Sequence, residues 1–135
     1  MREAWNGLEM VMDIIWVYLI LTAWKELRDW RLEIGNDCFK KVNQFVIDGL
    51  NGLETISIGW KCFSLNNSPR EGSKCLIMNC YQLREIHIGR DSCSRYESFE
   101  CKNLPSLIFI ELGWYVFSYC HRIVFESMND WMNDK

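Results

Sequence analysis

The sequence predicts a mainly β fold built from about four stacked copies of a 24-residue repeat, each with two short strands. Three observations predict it. The dipeptide Ile-Gly recurs as Ile34-Gly35, Ile58-Gly59 and Ile88-Gly89, then as Leu112-Gly113, so the glycines stand 24, 30 and 24 residues apart. Upstream of the last three glycines is an alternating apolar block: Leu53, Ile56 and Ile58; Leu83, Ile86 and Ile88; Leu107, Ile110 and Leu112. Downstream is a second block: Phe45 and Ile47; Cys75 and Ile77; Phe99 and Cys101; Ile123 and Phe125. Period-2 alternation suits strands buried on one face. One copy cannot bury that face alone, so stacked copies extend a common core as a solenoid.

The elements follow in order. The first copy is degenerate, with Asp29, Leu32 and Ile34 in its first block. The glycine after each first block allows a sharp bend at positive φ. Four residues later come Phe39, Phe63, Cys93 and Phe117, which read as core. After the second block a turn ends in an apolar residue: Gly49-Leu50, Asn79-Cys80, Asn103-Leu104 and Ser127-Met128. Asparagine suits that turn because it tolerates left-handed geometry. The long middle interval contains the polar stretch Leu65 to Gly72, and the part from Asn66 to Gly72 reads as a surface loop.

Residues 1–28 break the pattern and form an N-terminal cap or degenerate repeat ahead of the array at 29–135. Met10 to Trp24 is nearly all apolar, interrupted by Asp13. A cap over the open end of the stack is one reading, and Asn6-Gly7-Leu8-Glu9 echoes Asn51-Gly52-Leu53-Glu54 as a decayed copy would. A secretory signal or anchor is another. Against it, the run Ile14 to Trp24 is too short to span a bilayer, acids flank it, and no small-residue cleavage site follows. A partner-binding helix is the third. Helix and strand stay open here, because Ile14 to Leu21 is rich in β-branched and aromatic residues.

Composition narrows the function classes. The net charge is −3 and the pI near 5.4, without the basic footprint of a nucleic-acid binder. Seven cysteines, an odd number without any C-x-x-C pair, do not suit a closed disulfide framework or a zinc knuckle. Most fall at core positions of the repeat and read as small apolar residues kept reduced in a cytoplasmic protein, with the cell surface or secretion as the alternative. Neither a Gly-rich phosphate loop nor a G-x-S-x-G element occurs. His121 beside Cys120 lacks the cleft and oxyanion donor a nucleophilic dyad needs. The reading is therefore no catalytic residues, no cofactor and no metal.

The block Leu83-x-x-Ile86-x-Ile88, followed by Cys93, resembles the leucine-rich repeat, whose period range includes 24. Ile34-Gly-Asn-Asp-Cys38-Phe39 and Ile58-Gly-Trp-Lys-Cys62-Phe63 resemble the I-G-x-x-A-F element of the BspA-like subclass, and Asn79-Cys80-Tyr81-Gln82-Leu83 resembles its C-x-x-L element. Lys61, Asp91 and Tyr115 stand where the family carries asparagine, and the second block reads as strand rather than helix. The resemblance implies a protein-interaction or adhesion scaffold rather than an enzyme.

Candidate contact residues follow from the repeat. Arg31, Glu33, Thr55, Ser57, Glu85, His87, Phe109 and Glu111 take the outward positions of the first block. A His with two carboxylates can bind a divalent metal; a solvated strand face with favourable charge pairs is the simpler reading. Directly after the glycines come Asn36, Trp60, Arg90 and Trp114, which stack in one row. That row is either a binding stripe, since Trp and Arg are enriched in interface hot spots, or a set of side chains folded over the turn. The leading function is non-catalytic protein–protein interaction, without a membrane partner. The alternatives are a cell-surface adhesin with an N-terminal signal or anchor, and a fragment of a longer repeat protein. Leu107 to Leu112, the last complete first block, is expected to lack a neighbour on one side, so end-to-end self-association is a further expectation.

Overall fold

The computed structural model describes residues 2–5, 30–40, 42–65 and 71–126. Across them the chain is mainly β, with nine strands in two parallel sheets and no helix. One sheet takes β1 (Arg2–Trp5), β2 (Trp30–Ile34), β4 (Leu53–Ile58), β6 (Glu85–Ile88) and β8 (Phe109–Leu112), in that spatial order. The other takes β3 (Gln44–Asp48), β5 (Lys74–Met78), β7 (Ser98–Lys102) and β9 (Arg122–Glu126). From β2 onward the chain alternates between the sheets. Each strand therefore returns beside its predecessor in the same direction, which is why every pairing is parallel.

In the first sheet the apolar residues that precede the bend glycines pair in register. Ile34 pairs with Ile58, Ile58 with Ile88, and Ile88 with Leu112. In the second sheet Phe45, Cys75, Phe99 and Ile123 pair in succession. The match of Ile58 to Ile88 spans the 30-residue interval, so the insertion leaves strand register intact. Alternate residues point into one continuous core that includes Leu32, Ile56, Ile86, Phe45, Cys75 and Phe99, each with 1% or less of its surface exposed. Aromatic rings pack within it: Phe63 lies 5.5 Å from Phe39 and 4.6 Å from Phe45, and Phe99 stacks on Phe117 at 4.3 Å.

Three details depart from the sequence reading. The bend glycines do not adopt positive φ. Left-handed geometry falls instead two and four residues later, at Asp37, Lys61, Asp91 and Tyr115 and at Phe39, Phe63, Cys93 and Phe117, with φ between 53° and 64°. A bulky residue in that region is strained by roughly 1–2 kcal/mol, yet the conformation follows each of Gly35, Gly59, Gly89 and Gly113. Glycine is required for a different reason, the close approach of the backbone segments that follow neighbouring strands. A Cβ on Gly89 would lie 2.6 Å from the Gly59 carbonyl carbon, one on Gly113 2.5 Å from the Arg90 nitrogen, and one on Gly59 2.3 Å from Asn36 Oδ1. The third departure is in the first copy. Leu53 pairs with Trp30, not with the residue 24 positions earlier, Asp29, and the register shift before Arg31–Thr55 leaves Glu54 as the extra residue of a bulge.

The second turn is as expected for its asparagines: Gly49, Asn79 and Asn103 adopt φ of 76°, 57° and 53°. A hydrogen-bonded turn follows each, with Leu53, Leu83 and Leu107 donating their N–H to the carbonyls of Leu50, Cys80 and Leu104. At the N-terminus β1 pairs with β2, Arg2 beside Arg31 and Trp5 beside Ile34. The choice between cap, decayed copy, signal or anchor, and binding helix for residues 6–28 lies outside the described residues, as does 66–70 of the insertion. Glu71 and Gly72, which close the insertion, are exposed. Among the described residues no helix is long and apolar enough to cross a membrane.

Candidate functional site

Strands β2, β4, β6 and β8 hold the predicted contact residues on one surface because a strand sends alternate side chains to opposite faces. With Leu32, Ile56, Ile86 and Ile110 turned inward, register gives two outward rows. Arg31, Thr55, Glu85 and Phe109 form one; Glu33, Ser57, His87 and Glu111 form the other. His87 sits at the centre of the C-terminal part of this face. Its Nδ1 is 3.3 Å from Glu111 Oε1 and its Nε2 3.8 Å from Glu85 Oε1. Its ring centroid is 5.4 Å from that of Phe109, which is 42% exposed. Arg31 and Glu33 pair at 3.6 Å at the other end of the face. The result is a mixed surface with an apolar point at Phe109 and an acidic border.

The rim after the bend glycines is the second surface. Asn36 Oδ1 accepts the Trp60 N–H at 3.0 Å, which ties the first two members of the row together. The Arg90 guanidinium lies 5.7 Å from the Trp60 ring centroid, within cation–π range. Lys61 reaches the same ring, with Nζ at 5.5 Å. Such contacts contribute about 0.5–1 kcal/mol at exposed sites. Trp114 stands apart at 80% exposure. The row is thus divided: Trp60 is covered by cations and Trp114 is open. Lys61 was not legible as a member, because its neighbour in sequence gives no sign that a left-handed residue turns the side chain back over Trp60. Asp37, Lys61, Asp91 and Tyr115 stand two places after the glycines, and with such mixed chemistry no residue type marks the position in the sequence.

No family model, curated protein or solved structure matches this chain. Its chemistry rests on its own geometry. Two open depressions flank the strand face. One, of about 410 Å³, is lined by Asp37, Lys40, Lys61, Ser64, Asp91, Ser94 and Arg95. The other, of about 320 Å³, is lined by Glu54, Gln82, Arg84 and Ser106. His87 lines neither. Among the described residues no group of three or more His, Cys, Asp or Glu side chains is arranged to hold a metal ion.

The cysteines belong to the core rather than to a site. All seven are free thiols, six of them buried and Cys120 half-buried. Burial pushes Cys62 up to about 12 and Cys80 up to about 11, and it also raises Cys101. Cys75 is raised by its hydrogen bond with Cys93 and by burial. A thiol kept protonated is a poor nucleophile and a poor metal ligand. The Cys120 thiol donates to backbone carbonyl oxygens, those of Glu97 at 3.3 Å and Arg122 at 3.1 Å.

Proposed function

We propose that this chain is a non-catalytic protein-interaction scaffold, a solenoid of leucine-rich-repeat type. It engages a protein partner with the outward face of β2, β4, β6 and β8 and with the adjoining Trp60–Arg90–Trp114 rim. The observation that carries this reading is the continuity of the two surfaces. His87, Glu85, Glu111 and Phe109 lie on the strands whose ends lead directly into Arg90 and Trp114. Exposed aromatic residues beside arginine and paired charges are the composition of interface hot spots. The two-sheet parallel stack and its 24-residue register support the repeat type. The free, buried thiols support a reducing compartment such as the cytoplasm.

The test is differential capture. Wild-type chain, a Trp114→Ala/Arg90→Glu variant and a Lys102→Ala variant on the opposite sheet are used as baits in parallel. The expected result is a protein retained by wild type and Lys102→Ala and lost with the rim variant, then reproduced with the purified pair. Equal retention by all three baits would place the contact elsewhere.

A further inference from the structure

We infer that the chain forms a two-fold dimer through the outer edge of β9, the last described strand of its sheet, with β9 of one copy pairing antiparallel to β9 of a second. This surface lies on the second sheet and is separate from the proposed partner face.

Three observations carry the inference. The first is the edge itself. β9 ends the second sheet, and among the described residues its one paired neighbour is β7. The Arg122 N–H donates to Glu97 at 3.1 Å and the Glu126 carbonyl accepts from Asn103 at 2.8 Å, so both residues turn their backbone groups toward β7. In a parallel ladder alternate residues face the same neighbour. The backbone groups of Ile123 and Phe125 therefore face outward, ready for another strand.

The second observation is apolar exposure at positions that are core everywhere else. Ile123 and Phe125 continue the rows of Phe45, Cys75 and Phe99 and of Ile47, Ile77 and Cys101, all of which are buried. Ile123 is 54% exposed and Phe125 46%. Leu112, on the edge strand β8 of the other sheet, is 43% exposed. What fits this end is therefore another strand bearing apolar residues at alternate positions.

The third observation selects a second copy. β9 reads Arg-Ile-Val-Phe-Glu and is self-complementary about Val124. Antiparallel pairing centred there sets Arg122 against Glu126 of the other copy, twice, and Ile123 against Phe125, twice. Ile123 and Phe125 are also the residues whose outward backbone groups would form the hydrogen-bonded pairs of such a ladder. The Arg122 guanidinium is available: it is 66% exposed and meets Glu100 at 3.8 Å. Head-to-tail stacking is the alternative use of the same edge, with β9 parallel to β3 of the next copy in the repeat register. It sets Arg122 beside Gln44 and Glu126 beside Asp48, one lost attraction and one like-charge contact. Opposite charges across a pair stabilise a ladder and like charges directly opposite destabilise it. The two-fold arrangement is favoured, and it closes at two copies where head-to-tail stacking would not.

The experiment uses the full 135-residue chain and its single variants Arg122→Glu and Glu126→Arg, with far-ultraviolet circular dichroism as the check of fold. Sedimentation across a concentration series should give a monomer–dimer equilibrium that stops at two. Each variant alone opposes two like-charge pairs and should dimerise about tenfold more weakly or worse. An equimolar mixture of the two variants restores both attractive pairs and should dimerise as the wild type does. A separate Val124→Cys chain, whose two thiols meet on the axis, should give a covalent dimer on mild oxidation while wild type does not. A monomer at every concentration, growth beyond two copies, variants that associate as wild type does, or a mixture no better than its components would each overturn the inference. Absence of the Val124→Cys cross-link in a chain that still dimerises would move the contact away from β9.

Discussion

Asn103 donates from Nδ2 to Asn79 Oδ1 at 3.0 Å, and Asn79 donates in turn to Asp48 Oδ1 at 2.9 Å. Each asparagine also holds the left-handed conformation of its turn. One residue type thus satisfies two demands at the same corner, the backbone's need for a tolerant residue and the need to link the turns after neighbouring strands.

Replacement of Asn79 separates those demands. Asn79→Gly keeps the left-handed conformation and loses the side-chain hydrogen bonds, whereas Asn79→Ala loses both. Alanine should cost about 1–2 kcal/mol and glycine roughly half of that. Urea midpoints measure the difference, and equal losses would mean that the conformational part is negligible.

The bend glycines should respond differently from the turn glycine. Gly89→Ala drives a Cβ into the Gly59 backbone and should destabilise by more than about 2 kcal/mol. Gly49, at φ 76°, has nothing within 4 Å of an added Cβ beyond its own and adjoining backbone. Gly49→Ala should cost only about 1 kcal/mol, the penalty of left-handed geometry. Denaturation of both variants side by side checks the ranking.

Burial of the thiols makes stability fall on the alkaline side. An unfolded cysteine ionises around its ordinary value of 9.0, while Cys62 holds its proton to about 12 and Cys80 to about 11. Below pH 9 both states are protonated and the stabilisation is fully present. Above it the unfolded state loses protons that the folded state keeps, so stability declines through pH 9–12. A falling thermal midpoint from pH 8.5 to 10.5 is expected, and Cys62→Ala should flatten the slope.

Alkylation at neutral pH should discriminate among the thiols in the same way. Cys120, half-buried, should be modified first, and the six buried cysteines should react only as the chain unfolds. Mass spectrometry of a timed reaction reads the order. Early modification of Cys75 or Cys101 would contradict the packing of the second sheet.

Tyr96 is a buried aromatic residue whose hydroxyl donates to the Val42 carbonyl. Tyr96→Phe leaves that carbonyl without its donor and should cost about 1–3 kcal/mol. A loss under 0.5 kcal/mol would show that water reaches Val42.

Much of this fold was legible because its two periods act locally. Alternation assigns Ile86 and Ile88 to one face and Glu85 and His87 to the other, whatever lies beyond the strand. The 24-residue spacing then sets His87 beside Glu111, within reach of the 3.3 Å contact that their side chains make. The 30-residue interval was readable for the same reason, since a loop inserted between strands leaves pairing unchanged. Lys61 over Trp60, the bulge at Glu54 and the left-handed phenylalanines were not readable, because each depends on a local backbone conformation that alternation does not specify.

By itself the sequence determined which residues alternate, which strands repeat and therefore which side chains share a face. Those properties belong to the period of one chain segment. Tertiary structure alone decided why glycine ends each first block. The distance between stacked backbones leaves no room for a Cβ at Gly89 or Gly113, and no spacing of residues along a chain encodes that distance. It also decided that β9 ends its sheet among the described residues, with β7 as its one paired neighbour there. Ile123 pairs in register with Phe99, yet Phe99 lies between two described strands and is buried while Ile123, on the last described strand, is 54% exposed.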